Sequence, residues 1–123
     1  MKALSIKEPY ANMILSGKKT IETRTWRTNY RGPLLICASA KPNILNAGHA
    51  VAFVDLVDCR LMHKTDEVLA CCEIYPHAQA WILENVRPIK QFKVKGKLGI
   101  YEVEGNKILL EMRERIREIG ERL

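Results

Sequence analysis

Hydrophobic and polar positions along this 123-residue chain follow the two-residue period of β-strands in several short stretches. Between Thr20 and Trp26, polar and aromatic residues at the even positions form one face of a predicted strand. The apolar runs LLICASA (34–40) and AVAFVDLVDCRLM (50–62) are typical of buried strands. Strands are also predicted over residues 2–7, 78–85, 89–96 and 97–105.

Two short helices interrupt these predicted strands. Pro9 suits the first turn of a helix, and Gly17 suits its end because glycine accepts a left-handed conformation. Thr65, followed by two acidic residues, can begin a second helix. Strands outnumber helices and lie close together in the sequence. The pattern therefore predicts an α+β protein built as a small, mostly antiparallel β-barrel with peripheral helices.

The end of the chain has a different pattern. After Asn106, which can cap a helix, apolar residues recur at spacings of three and four among charged ones. Two heptads are few for a separate coiled coil, so we predict an amphipathic C-terminal helix (106–123) packed on a barrel domain (1–105). We expect a monomer, with a weak dimer through this helix as the alternative.

Composition excludes several classes of protein. The chain is 47% hydrophobic and 28% charged, as in ordinary globular domains. No run approaches the roughly 18 apolar residues of a membrane span, and the N-terminus lacks the apolar core of a signal peptide. We therefore predict a cytoplasmic protein with no membrane partner. The four cysteines lack zinc-binding spacing, so neither a metal nor another cofactor is predicted.

Positive charge is concentrated in two parts of the chain. The net charge is +6; residues 1–31 hold seven Lys or Arg against two Glu, and residues 86–97 hold five basic residues and no acid. The two stretches would form one basic face if the fold brings them together, which favours an anionic partner. For the second stretch, a solvated edge strand protected by lysines is the alternative explanation.

The stretch SGKKTIETRTWRTNYRG (16–32) combines cations with aromatic rings. Arginines can contact phosphates, and aromatic rings can stack on bases. Glu22 either orients Arg24 and Lys19 by ion pairing or exchanges protons in a reaction. The residues alone leave both roles open. The candidates for phosphate contact are Arg24, Arg27 and Arg31, and those for stacking are Trp26 and Tyr30.

Gly17, Lys19, Glu22 and Arg24 match the Gly-x-Lys-x-x-Glu-x-Arg signature of ASCH domains. The chain resembles this family up to about Val103. The resemblance implies a PUA-like barrel, which is a fold associated with RNA. It implies RNA or nucleotide binding as the function. The alternative is hydrolysis of RNA phosphodiesters or of an acylated nucleobase, because ASCH domains include ribonucleases and amidohydrolases acting on N4-acetylcytidine.

The resemblance also implies a site in a cleft between the first helix and the Glu22 strand. A binding site would use Lys19 and Arg24 for phosphate and Glu22 for a base amino group. The residues expected at the cleft are Tyr10, Lys19, Glu22, Arg24 and Trp26, and those expected at its basic rim are Arg27, Arg31, Lys93 and Lys95. Tyr30 is a further candidate for contact with nucleic acid.

A hydrolytic site would use some of the same residues. Lys19 and Glu22 would share a proton while water or the Thr20 hydroxyl attacks an amide; in a ribonuclease, Glu22 would act as base and Lys19 or Arg24 would stabilise the phosphorane. The amidohydrolases resemble this chain at Gly17, Lys19 and Arg24 but have threonine at the position of Glu22. The resemblance therefore favours binding over deacetylation.

Overall fold

A computed structural model describes residues 1–105 of the chain. Within that range the chain forms six β-strands, two short α-helices and one 3-10 turn, Lys64–Asp66. The strands are β1 Lys2–Ile6, β2 Ile21–Arg24, β3 Gly32–Ala38, β4 His49–Leu61, β5 Gln79–Lys93 and β6 Ile100–Glu102, and the helices are α1 Tyr10–Leu15 and α2 Glu67–Ala70.

The six strands form one sheet in the order β2-β5-β4-β3-β1-β6. β1 and β3 pair in parallel, whereas the other four pairings are antiparallel. This confirms a mostly antiparallel strand architecture with few helices. The predicted barrel is confirmed in part, because the outermost strands β2 and β6 are not hydrogen-bonded neighbours among the described residues. The sheet is a half-barrel, open between these two edges.

β5 differs most from its predicted form. Two strands, 78–85 and 89–96, were expected on either side of Pro88, but one 15-residue strand runs through this position. β5 accommodates Pro88 and the left-handed Asn85 (φ 54°) through shifts of register against β4. Such bulges bend a strand without ending it, which favours the curvature of a half-barrel.

The last strand was predicted too long. Only Ile100–Glu102 pair with β1, and residues 94–99 form a loop between β5 and β6. Lys95 therefore lies on a loop and not on an edge strand. Two glycines in this loop explain the early end of β5, since glycine weakens strands and favours turns.

β3 lies at the centre of the core. Its even-numbered residues Leu34 and Ile36 belong to a cluster that packs against α1, whereas Leu35 and Cys37 belong to a second cluster with Phe53, Phe92 and Tyr101. Both faces of the strand are buried, which explains why its sequence is continuously apolar instead of alternating.

The predicted C-terminal helix, the domain boundary at residue 105 and the weak dimer contact all involve residues 106–123, which lie outside the described residues. Within residues 1–105, neither helix is long and apolar enough to cross a membrane.

Candidate functional site

A cleft of about 840 Å³ lies at the open side of the half-barrel. The guanidinium of Arg24 on β2 crosses this side and donates from Nη2 to the carbonyl oxygen of Ser5 on β1, at 2.9 Å. Three strands, β5, β4 and β3, lie between β2 and β1 in the sheet. A direct hydrogen bond between β2 and β1 therefore shows how strongly the sheet curves. The cleft exists because the half-barrel is not closed by strand pairing at this point.

Glu22 is the acidic residue on the wall of this cleft, and it is buried. Its Oε2 accepts from Nε and Nη2 of Arg24, at 3.2 and 3.0 Å. Its Oε1 accepts from the backbone N–H of Thr23 at 3.1 Å and lies 3.3 Å from Nζ of Lys19. Both carboxylate oxygens are therefore occupied by two cations and a backbone donor. The two-residue period explains why Glu22 and Arg24 share a face of β2.

Lys19 is only 3% exposed. Its Nζ donates to the carbonyl oxygens of Ile21 at 2.7 Å and Ala70 at 2.5 Å, in addition to the ion pair with Glu22. An ammonium group has three protons, and two of them are donated to these carbonyl oxygens while the charge is paired with Glu22. Lys19 thus connects β2 to the end of α2 and holds the carboxylate of Glu22 from the side opposite Arg24.

Arg24 and Tyr10 are the more accessible members of the predicted group. The side chain of Arg24 is 25% exposed, and its Nη1 group makes no hydrogen bond to the described part of the chain. Tyr10, at the first position of α1, is 38% exposed, and its ring centroid lies 5.5 Å from Nζ of Lys19. The cleft therefore presents a fixed cation and an aromatic ring to solvent.

The turn before Tyr10 is held by a buried acid whose role the sequence did not indicate. Glu8 accepts from the backbone N–H of Asn12 at 2.8 Å, and from both the backbone N–H and Nδ2 of Asn46 at 2.9 Å each. These bonds tie the start of α1 to the segment between β3 and β4. A buried carboxylate with several donors was not recognisable from the sequence, because Asn46 is 38 residues away.

Many of the other residues that line the cleft were not predicted from the sequence to belong to the site. Ser5 lines the cleft, and its hydroxyl forms a hydrogen bond of 2.7 Å with the hydroxyl of Tyr101. Burial raises the pKa of the Tyr101 hydroxyl above its usual range. Three more lysines line the cleft: Lys95, which was predicted to lie at the site, and Lys7 and Lys97, which were not. Only their occurrence in the two basic stretches could have suggested them. The remaining unpredicted residues include Ile6, Thr23, Ser39, Ala40, Cys72, Tyr75, Val94, Gly96, Leu98 and Gly99.

Trp26 and Thr20 do not line this cleft. Trp26 follows the end of β2 and makes an edge-to-face contact with Trp81, with ring centroids 4.8 Å apart. Its carbonyl oxygen accepts from Nε1 of Trp81. Thr20 precedes β2 and lies beside a separate cavity of about 80 Å³. The expected common face thus extends only from Glu22 to Arg24, because the regular strand begins after Thr20 and ends before Trp26.

The remaining predicted residues also lie away from the lining of the cleft. The hydroxyl of Tyr30 donates to the carbonyl oxygen of Pro33, and the guanidinium of Arg31 donates to the carbonyl oxygens of Thr28 and Tyr30. These bonds stabilise the loop between β2 and β3. The other two are Arg27, in the same loop and exposed, and Lys93, the last residue of β5.

The donor set of the cleft does not suggest a metal centre. Within residues 1–105 there is no group of three or more His, Cys, Asp or Glu side chains arranged to hold a metal ion. All four cysteines are free thiols, and Cys37 and Cys59 are buried.

Comparison with known proteins agrees with this fold. The model of the ASCH domain family matches residues 4–93, so the chain belongs to the ASCH domain family. Human activating signal cointegrator 1 is 31% identical over 80 residues, a match that covers 46% of this chain and 14% of the human protein. The chain thus corresponds to a small part of that relative.

Crystal structures of an ASCH protein from Zymomonas mobilis have the same fold. A tyrosine-to-phenylalanine variant superimposes with a TM-score of 0.63 at 15% identity, over 94% of this chain and 96% of that one. Another structure of the Zymomonas protein gives a TM-score of 0.64 at 15% identity, over 88% and 90%. These matches confirm the ASCH-type, PUA-like half-barrel.

Proposed function

We propose that this chain binds RNA, or a nucleotide-like ligand, in the cleft at the open side of the half-barrel. The proposal rests on the hydrogen bonds of the Arg24 guanidinium. Its Nε and Nη2 are held by Glu22 and by the carbonyl oxygen of Ser5, whereas Nη1 makes no hydrogen bond to residues 1–105. A guanidinium fixed in this way can contact a phosphate without first losing conformational freedom.

The charge of the cleft supports an anionic ligand. Its lining includes five cationic side chains and the single carboxylate of Glu22, which two of those cations neutralise. Phosphate contacts provide most of the affinity for nucleic acids, whereas contacts to the bases provide specificity. The exposed ring of Tyr10 offers a surface on which a base can stack.

The volume and shape of the cleft favour an unpaired nucleotide over a duplex. About 840 Å³ falls within the range of about 300–1,000 Å³ that is usual for small-molecule sites. A base inside a helix is stacked on both faces and cannot enter such a cleft. ASCH domains are generally associated with RNA, and RNA is most often read at single-stranded positions. The exposed Arg27, Arg31 and Lys93 would contact phosphates further along the strand.

Hydrolysis is less well supported than binding. A general base or nucleophile needs a free lone pair close to the substrate. Lys19 donates to two backbone carbonyl oxygens and is ion-paired with Glu22, the carboxylate oxygens of Glu22 are occupied, and Thr20 does not line the cleft. In our proposal Lys19 and Glu22 therefore orient Arg24 and do not transfer protons.

The proposal is tested by fluorescence anisotropy with a labelled single-stranded RNA 12-mer of mixed sequence, titrated at several salt concentrations. We expect Arg24→Gln to weaken binding by roughly 10-fold or more and to lower the salt dependence by about one phosphate contact. The matched control is Arg87→Gln, because Arg87 is also ion-paired, to Asp55 at 3.0 Å, but does not line the cleft.

Two results would contradict the proposal. The first is wild-type binding that does not change with salt, since phosphate contacts make affinity depend strongly on salt. The second is an equal loss of affinity in Arg24→Gln and Arg87→Gln, which would mean that net charge alone, and not the cleft, determines binding.

A further inference from the structure

The loop between β5 and β6, residues 94–99, carries an apolar side chain at the margin of the cleft. All six of its residues line the cleft, and Leu98 is 99% exposed. A single exposed leucine on a surface is common. This one is unusual in its position, because it lies between the cleft and solvent, next to Lys97 and three residues after Lys95.

The backbone of this loop is held in place on both sides of the lysines. A Cβ atom on Gly96 would lie 2.9 Å from Oγ of Ser5, so a larger residue here would force either the loop or the Ser5 hydroxyl, which is bonded to Tyr101, to move. The backbone N–H of Val94 donates to the carbonyl oxygen of Gly48 at 3.0 Å. Gly99 has a φ of +65°, which allows the chain to turn into β6. The loop thus presents Leu98 from a supported backbone.

Three side chains of this loop, those of Lys95, Lys97 and Leu98, extend away from residues 1–105. Lys95 and Lys97 make no hydrogen bond or ion pair to the part of the chain that the structure describes, and both are exposed. Leu98 is packed against nothing in that part. The loop therefore combines two available cations with one available apolar group.

We propose that the β5–β6 loop is the element that recognises the base, a conclusion that rests on the proposed RNA-binding function. Leu98 packs against the face of one unstacked nucleobase, and Lys95 and Lys97 contact the phosphates beside it. An apolar side chain can cover a base face of any sequence, whereas lysine acts as a point charge toward phosphate. The ligand is single-stranded RNA, because a base within a duplex has no free face.

An exposed apolar residue that follows two lysines would also suit an anionic lipid surface. The position of the loop favours RNA. The loop forms one wall of the cleft, with Arg24 and Tyr10 on other parts of its lining, so a ligand that reaches Leu98 can contact all three. A flat membrane surface would contact only the tip of the loop.

The test compares Leu98→Ser with Val68→Ser. Val68 is also strongly exposed, at 82%, but lies on α2 and does not line the cleft. Each protein is titrated with a labelled RNA trinucleotide and with the same trinucleotide lacking its central base. Burial of a leucine on a base predicts roughly 5- to 20-fold weaker binding of the intact trinucleotide by Leu98→Ser. Val68→Ser should stay within twofold of wild type.

The abasic ligand separates base contact from phosphate contact. On this ligand, wild type and Leu98→Ser should bind equally, whereas Lys95→Gln combined with Lys97→Gln should weaken both ligands by the same factor. Gly96→Ala tests the support of the loop independently. It removes no ligand-contacting atom, but its Cβ would displace the loop from Ser5, so binding of the intact trinucleotide should also weaken. Circular dichroism verifies that each variant is folded.

The possible failures can be distinguished. If wild type binds neither the trinucleotide nor the 12-mer, the proposed function is wrong and this inference with it. If wild type binds RNA and Leu98→Ser binds the intact trinucleotide as well as wild type does, the base-recognition role is overturned and the RNA-binding function stands. Loss of binding to anionic phospholipid vesicles in Leu98→Ser, with RNA binding unchanged, would likewise overturn it in favour of a lipid contact.

Discussion

Replacing Lys19 by methionine tests whether this residue is a structural support of the site. Methionine keeps most of the side-chain volume but removes the ammonium group. The carbonyl oxygens of Ile21 and Ala70 would lose their contacts at 2.7 and 2.5 Å, and Glu22 would keep only Arg24 and a backbone donor. We therefore expect Lys19→Met to fold less stably than wild type.

The size of the effect follows from burial. Removing one partner of a buried ion pair costs about 3–5 kcal/mol, because the groups left behind remain desolvated. Lys19 and Glu22 have side chains only 3% and 9% exposed, so this range applies. The matched control is Lys2→Met, since Lys2 pairs with Glu102 through side chains that are 45% and 64% exposed. Such an exposed pair contributes little to stability, because solvent and salt screen the two charges.

Urea unfolding followed by tryptophan fluorescence measures both variants. Trp81 is fully buried and contacts Trp26, so unfolding changes the environment of both rings. The free energy of unfolding of Lys19→Met should fall by about 3–5 kcal/mol, and that of Lys2→Met should change far less. If the two variants lose the same small amount, Lys19 is not a support, and the argument that it is unavailable for proton transfer loses its basis.

Three further predictions follow. The hydrogen bonds from Arg60 lower the pKa of Asp66 to about 2, below its ordinary value. The ionised Asp66 therefore stabilises the fold above about pH 4, and this stabilisation is lost as the pH falls through 2. The urea midpoint should drop more between pH 4 and 2 in wild type than in Asp66→Asn. Cys37 and Cys59 are buried, and burial raises the pKa of Cys37 to about 11. A thiol reagent at pH 8 should therefore label Cys71 and Cys72 in the native protein and all four cysteines only in urea. An RNA containing N4-acetylcytidine should keep its mass after incubation, and loss of the acetyl group would instead show hydrolysis.

Much of the fold could be predicted because its signals are local. Alternation and apolar runs located most of the strands, and Pro9 and Gly17 correctly indicated α1. The errors occurred where long-range pairing decided the outcome. Pro88 usually ends a strand, but β5 continues past it because β4 provides a partner along its whole length. The open edge between β2 and β6 is likewise a property of curvature, and no short stretch of sequence records it.

The candidate site shows the same division between local and long-range information. The sequence alone determined that Glu22 and Arg24 share a face, because the two-residue period is a property of the strand backbone. Only the tertiary structure decided that Lys19 reaches Ala70, 51 residues away, and that Gly96 brings the β5–β6 loop against Ser5. These contacts depend on how far the sheet curves, which results from the packing of all its strands together. Some of the residues that line the cleft could therefore be predicted from the sequence. The long-range contacts that fix their side chains in place could not.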